Sequence, residues 1–191
     1  MTRRQLQRVL DEATAGLKDK PEYLRDPKAL AEIKKLERKR EIEARTSQEP
    51  ITNLKDNEIF VFGSNEAGIH GAGAARTALK WGAVLGVGTG LMGQTYAIPT
   101  KDKNLNTLEL GDIKDYVDLF IEHAIWNDGK TFLVTQIGCG LAGYTPKKIA
   151  PMFKKCIDLK NVHLPKVFWD ILEPEEVFVP EDERFPSYEV D

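Results

Sequence analysis

The sequence predicts an α/β fold with a largely parallel sheet and helices on both faces. Three observations lead there. Short, continuously apolar runs, Ile59-Phe60-Val61-Phe62 and Thr131-Phe132-Leu133-Val134-Thr135, suit strands buried on both faces. Between them, Ile113, Tyr116, Val117, Phe120, Ile121, Ala124 and Ile125 form an apolar stripe of helical period. Glycine-rich turns follow both runs, which lie about seventy residues apart. The elements read βα–βα–βα–β, an order that favours parallel pairing through crossover helices.

Residues 1–49 carry almost no strand signal. Leu6, Val9, Leu10, Ala13 and Leu17 recur at helical spacing, and Pro21 and Pro27 interrupt the pattern. Asp26-Pro27 reads as an N-cap followed by proline at the first helical position. The helix expected from there, roughly 28–45, is heavily charged, with Leu30, Ile33, Leu36 and Ile42 as a thin apolar stripe. It suits either a solvated packing arm or a helix for docking and self-association. After a loop over 53–57 the body begins with the Ile59–Phe62 strand. Gly73 to about Trp81 reads as a helix, Gly82–Gly93 as a loop, and Thr95–Ile98 as a strand stopped by Pro99. Asp112 is placed to cap the amphipathic helix, and Gly129 to end it. A further helix carries Ile149, Met152, Phe153 and Cys156. Pro151 within it implies a start near Ala150, or a kink. Val167–Ile171 reads as a last strand. The division is therefore a charged helical extension (1–50), an α/β domain (51–172) and an acidic tail (173–191).

The chain has 191 residues, 41% apolar and 30% charged, enough for one well-buried domain with an appendage and unlike disordered or fibrous chains. No apolar run approaches the roughly 20 residues a membrane helix needs. The basic N-terminus lacks the apolar core of a secretory signal. Cys139 and Cys156, with no CxxC, suit neither a disulfide framework nor a zinc site, so no metal or cofactor and a cytoplasmic location are expected. Charge is uneven. Residues 1–49 hold 13 basic against 10 acidic side chains, and residues 173–191 hold 1 against 8. The near-neutral middle lacks the basic stripe of a nucleic-acid footprint.

The chemistry concentrates in the two turns. The first is Phe62-Gly63-Ser64-Asn65, followed by His70-Gly71-Ala72-Gly73-Ala74-Ala75. The second is Ile137-Gly138-Cys139-Gly140-Leu141-Ala142-Gly143-Tyr144. Glycine lets backbone amides approach a ligand where a Cβ would block them. Two such turns on parallel strands line one crevice at the carboxyl ends of a sheet, which points to a phosphate-bearing nucleotide. Tight strand-to-helix connections would need the same glycines. Asn65 suits a ribose hydroxyl, a bound water, or simply a left-handed turn. The glycines do not form GxGxxG, which disfavours a dinucleotide-binding oxidoreductase.

FVFGSNEAGIHGAGAARTALKWGA resembles the asparagine-then-glycine-triplet loop of macro domains. FLVTQIGCGLAGYTPKKIAPMF resembles their second phosphate loop. The resemblance covers roughly residues 58–172. It implies a three-layer α/β/α fold with a mostly parallel mixed sheet, a module that binds ADP-ribose or a related nucleotide, and in some members hydrolysis of ADP-ribosyl bonds. It places Asn65 beside the distal ribose, with Gly63 and Ser64 before it as ligand-binding residues, and Gly71, Gly73 and Ala74 over the diphosphate. Gly138, Cys139, Gly140, Leu141, Ala142 and Gly143 fall on the second loop, with Tyr144 at the aromatic position before its proline. Phe62, Ala75 and Ala142 depart from the pattern, standing where many members have an asparagine, a catalytic aspartate and an aromatic ring. No counterpart of the adenine-reading aspartate is evident, with Asp56 in the nearest region.

For hydrolysis, His70, Asn65 and Asp102 are the candidate catalytic residues. His70 carries an imidazole immediately before the glycine triplet, a side-chain type that serves as acid or base, and Lys101-Asp102 follow a strand on the crevice side as a base or nucleophile. Surface-loop roles would fit all but Asn65 equally. Cys139 suits either a thiolate nucleophile or a small side chain between glycines. The expected partners are the nucleotide, an ADP-ribosylated macromolecule and, through the N-terminal helices, a second copy, with no membrane. The alternative is an interaction or assembly protein that uses a macro-like scaffold without turnover.

Overall fold

The structure, a computed structural model, describes residues 27–174. The helix expected over Leu6–Leu17, the Asp26 cap and the acidic tail beyond Pro174 lie outside the described residues. The chain divides after Ala44 into two units. In the first, α1 (Pro27–Ala44) is an 18-residue helix opened by proline, whose fixed φ suits the first turn. An i,i+3 pair between Arg38 and Glu41, 2.8 Å, lies along it.

The second unit starts at Arg45, earlier than the boundary expected near residue 51. The reason is a two-residue strand, β1 (Thr46–Ser47), that joins the sheet. The other strands are β2 (Glu58–Ser64), β3 (Gly90–Met92), β4 (Thr95–Pro99), β5 (Thr131–Val134) and β6 (Val162–Pro165). Their order is β1-β6-β5-β2-β4-β3. Every pairing is parallel except β3 with β4. The mixed α/β sheet thus follows from the buried runs around β2 and β5.

Register assigns the side chains to two faces. Phe62 pairs with Ala97 and Phe60 with Leu133. These residues pack with Ala75 and Ala78 of α2 (Gly73–Ala78), and Ile51 and Met92 complete that core. Val61 pairs with Tyr96 and with Val134, on the opposite face. There Phe120 of α3 (Leu110–Ile125) is fully buried against Tyr96 at 5.2 Å, Phe132 at 5.6 Å and Phe153 at 6.3 Å. Truncating a phenylalanine so enclosed costs about 3–5 kcal/mol.

Four expectations change. Val167–Ile171 is not a strand but part of α5 (Lys166–Leu172), and the sixth strand is Val162–Pro165 just before it. Strand propensity is a weak preference, and the segment turns helical behind Pro165 with Phe168 and Trp169 buried and Lys166 bonded to Asp170 at 2.6 Å. The loop expected over Gly82–Gly93 contains β3. Helix α3 starts two residues before Asp112, which sits in its first turn, where a carboxylate favours the helix dipole. The helix around Pro151 begins at Pro146 as α4 (Pro146–Ile149) and tightens into a 3₁₀ run over Ala150–Asp158. Pro151 sits in the opening turn of that run, where its missing N–H breaks no bond.

Arg45 explains why the unit begins where it does. It is 5% exposed and donates to the carbonyls of Cys156, Leu159 and Ile157 at 2.7, 2.7 and 2.9 Å. Its guanidinium lies 5.0 Å from the Trp169 ring. The cation thereby satisfies carbonyls at the carboxyl end of the 3₁₀ run.

Candidate functional site

Three parallel strands end at one place. Ser64 and Asn65 close β2, Thr100 and Lys101 follow β4, and Thr135 and Gln136 follow β5. All six line a single cavity of about 530 Å³, within the range of small-molecule sites. Strand β2 lies between β4 and β5. The chain leaves β2 toward β4 and later returns to its other side as β5, so the cavity sits where the winding reverses.

The two glycine turns meet over this cavity. Gly71, Gly73 and Ala74 line it from the first, and Gly138, Cys139, Gly140, Leu141 and Ala142 from the second. Gly63, Ser64 and Asn65 form part of its floor. Asn65 and Gly140, distant in sequence, thus share one cleft.

The backbone of both turns is short of acceptors. In the second, Cys139 N–H donates to Gln136 O at 3.1 Å, Gly143 N–H to Gly140 O at 2.9 Å and Tyr144 N–H to Gly138 O at 3.0 Å. Among the described residues, nothing accepts from the N–H groups of Gly138, Gly140, Leu141 or Ala142. The same holds for Gly71 and Ala72 in the first turn. Donors left over on both sides of one cleft make a setting for an anion.

Two glycines stand out there. A Cβ at Gly71 or Gly140 would meet no atom within 4 Å, and neither residue has a left-handed backbone. Nothing in the protein's own packing excludes a side chain at either position. Gly138 differs, with φ +72° and a Cβ position 3.1 Å from Ile149 Cδ1.

The first turn is shaped from within. Asn65 Nδ2 donates to Ile69 O at 2.7 Å, and Ile69 N–H donates to Asn65 Oδ1 at 2.9 Å. The side chain therefore closes its own loop while lining the cavity. Gly68 and Gly88 support that loop from below. A Cβ on Gly88 would fall onto the Asn65 carbonyl oxygen, and one on Gly68 onto the Val87 amide. Gly86 N–H donates to Gly68 O at 3.0 Å.

Several expected site residues lie elsewhere. His70 is not a surface-loop residue: it is 2% exposed, outside the cavity lining, with its ring edge-on to Phe62 at 5.3 Å. Neither ring nitrogen has a hydrogen-bond partner among the described residues, and the ring packs against Phe62 outside the lining. Asp102 also misses the lining. Its carboxylate accepts from Asn104 N–H and Asn106 N–H, both 2.8 Å, and Asn106 Nδ2 at 3.0 Å. The Asn106 side chain is the main cause holding its carboxyl below the usual range. This aspartate closes a turn. Gly143 and Tyr144 shape the second loop without lining the cavity. The Tyr144 hydroxyl donates to Leu108 O at 2.8 Å, and Thr107 Oγ1 donates to Ala142 O at 3.1 Å. Together these bonds pin the segment after β4 against the second turn.

Cys139 is the wrong thiol for a nucleophile. Burial first, and the Glu49 carboxylate second, push it up to about 11. Among the described residues Lys101 is the one charged side chain in the lining. No carboxylate among the described residues pairs with its ammonium. Sequence reasoning placed it near the crevice but missed Thr100, Thr135, Gln136, Ile69 and Leu105. The available signal for the first three was position: each directly follows a buried parallel strand. Leu105 had none, because its φ of +68° arises from a turn that Asp102 organises.

No helix among the described residues is long and apolar enough to cross a membrane. No family model, curated protein or solved structure matches this chain.

Proposed function

We propose that this protein is a macro-like module that binds ADP-ribose, or a related nucleotide, through its diphosphate. One observation carries the reading: two glycine turns leave unpaired backbone N–H groups on both sides of a single cleft, beside one lysine and no carboxylate among the described residues. Preorganised amides and a cation suit a diphosphate, and the missing acid removes the repulsion an anion would otherwise meet. The resemblance of both loops to those of macro domains supports the choice of ADP-ribose. So does their meeting over a cavity at the winding reversal.

Binding is favoured over turnover. Ala75 and Ala142 face the cavity where the hydrolytic subgroup and many other members have larger, functional side chains. Among the described residues no carboxylate in the lining is present to activate a water. Lys101 is the one ammonium there among the described residues, a cation suited to hold a phosphate.

Isothermal titration of the full chain with ADP-ribose, ATP and NAD tests the reading. ADP-ribose is expected to bind, and Gly71→Ala is expected to weaken it without moving the thermal midpoint. No heat and no thermal shift with any of the three at millimolar concentration would overturn the proposal. Incubation with ADP-ribosylated protein or nucleic acid separates reader from eraser. Turnover of either substrate would overturn the preference for binding.

A further inference from the structure

Resting on that reading, we infer that the site recognises a nucleoside diphosphate without discriminating among nucleobases. Bases differ at their edges in donors and acceptors, so selecting one takes groups free to answer that pattern, and here the free backbone amides serve the diphosphate. The neutral polar side chains that line this cavity direct donors back into the protein. Ser64 Oγ donates to Asn65 O at 3.2 Å, Thr100 Oγ1 to Ser64 O at 3.2 Å and Thr135 Oγ1 to Val61 O at 3.0 Å. Both ends of the Asn65 amide are engaged with Ile69. Gln136 Nε2 donates to Glu49 Oε2 at 2.8 Å. Among the described residues no carboxylate lines the cavity to accept from an exocyclic amine, and Lys101 is a point charge suited to phosphate.

What the cavity offers a base is aliphatic surface. Ile69, Leu105 and Leu141 line it from three different loops and are 51%, 43% and 75% exposed. Leu105 is held there in a left-handed conformation, the only described residue other than glycine with positive φ. Three large aliphatics left open around one cleft match a flat, weakly hydrated ring. Such contact has no direction, and a pocket without matched hydrogen bonds separates isosteric groups only weakly. The glycine turns thus read the diphosphate, and the aliphatic rim covers whichever base is attached.

Titration of the full chain with ADP, GDP, CDP and UDP at one salt concentration tests this. The four dissociation constants are expected to agree within about threefold. The double variant Leu105→Ala/Leu141→Ala is expected to weaken all four by a common factor of about five, with an unchanged thermal midpoint because both side chains are exposed. One base preferred tenfold or more would overturn the inference while leaving nucleotide binding intact, as would a double variant that weakens only one nucleotide. Failure of all four and of ADP-ribose to bind would instead remove the underlying reading.

Discussion

Two pairs of glycines, close together in the fold, are present for opposite reasons. Gly68 and Gly88 are required by the protein itself, since a side chain on either would collide with the backbone of the neighbouring loop. Gly71 and Gly140 face open cavity, with ordinary backbone conformation and no atom within 4 Å of a Cβ. The first pair builds the first turn. The second keeps space beside unpaired amides, which is where a ligand would be held. Glycine content alone does not mark a binding loop: the informative glycines are those that folding does not need.

The comparison breaks most visibly at Gly88. Gly88→Ala is expected to cost about 3 kcal/mol, the upper end for overpacking, and to abolish nucleotide binding by displacing Asn65. Chemical denaturation would measure it, and a variant with unchanged midpoint and binding would show that the loop contact is not structural. Gly140→Ala should do the reverse. Its stability should stay within about 0.5 kcal/mol of the parent while affinity for ADP-ribose falls about tenfold or more. Equal binding by this variant would mean that the ligand does not approach the second turn.

Lys101→Ala sharpens the division between backbone and side-chain recognition. Affinity is expected to fall about tenfold and its salt dependence to flatten, because the amides remain and the one cation is lost. A fall confined to ligands bearing a particular base would contradict the role given to this lysine.

The smallest effect concerns Cys139. With its thiol pushed up to about 11, alkylation by iodoacetamide at pH 7.5 should run roughly a hundredfold slower than for free cysteine, accelerating toward pH 11. Cys156, fully buried, is pushed up further, to about 12. Below the ordinary value near 9 both thiols are neutral, folded or unfolded, and stability is unaffected. Above it the unfolded chain ionises first, so stability falls as pH rises through about 11 and 12. Rapid labelling of Cys139 at neutral pH would show that the second turn opens in solution.

Much of the fold was legible in sequence. The buried runs of β2, β4 and β5 and the stripe of α3 are local patterns with the right period. Val167–Ile171 reads as a strand but is helical, and the strand at Val162–Pro165 goes unread, because a short apolar segment has too few residues to show a period. The site was legible where glycine and strand end coincide, as at Gly138–Ala142. It failed at His70, whose neighbour Phe62 is decided by which face of β2 points to α2. It also failed at Asp102, whose partners Asn104 and Asn106 make it a turn-former despite its place near the strand end.

The residues alone determined the class of the fold, the position of both glycine turns and the expectation that they would converge. Each rests on local chemistry: apolar period, turn propensity and the freedom of a missing Cβ. Only the tertiary structure decided which glycines the fold requires, which polar side chains bond back to the protein, and that a lone lysine and three aliphatics surround the cleft. Those facts depend on what lies across space from each atom, and that is set by strand order and register.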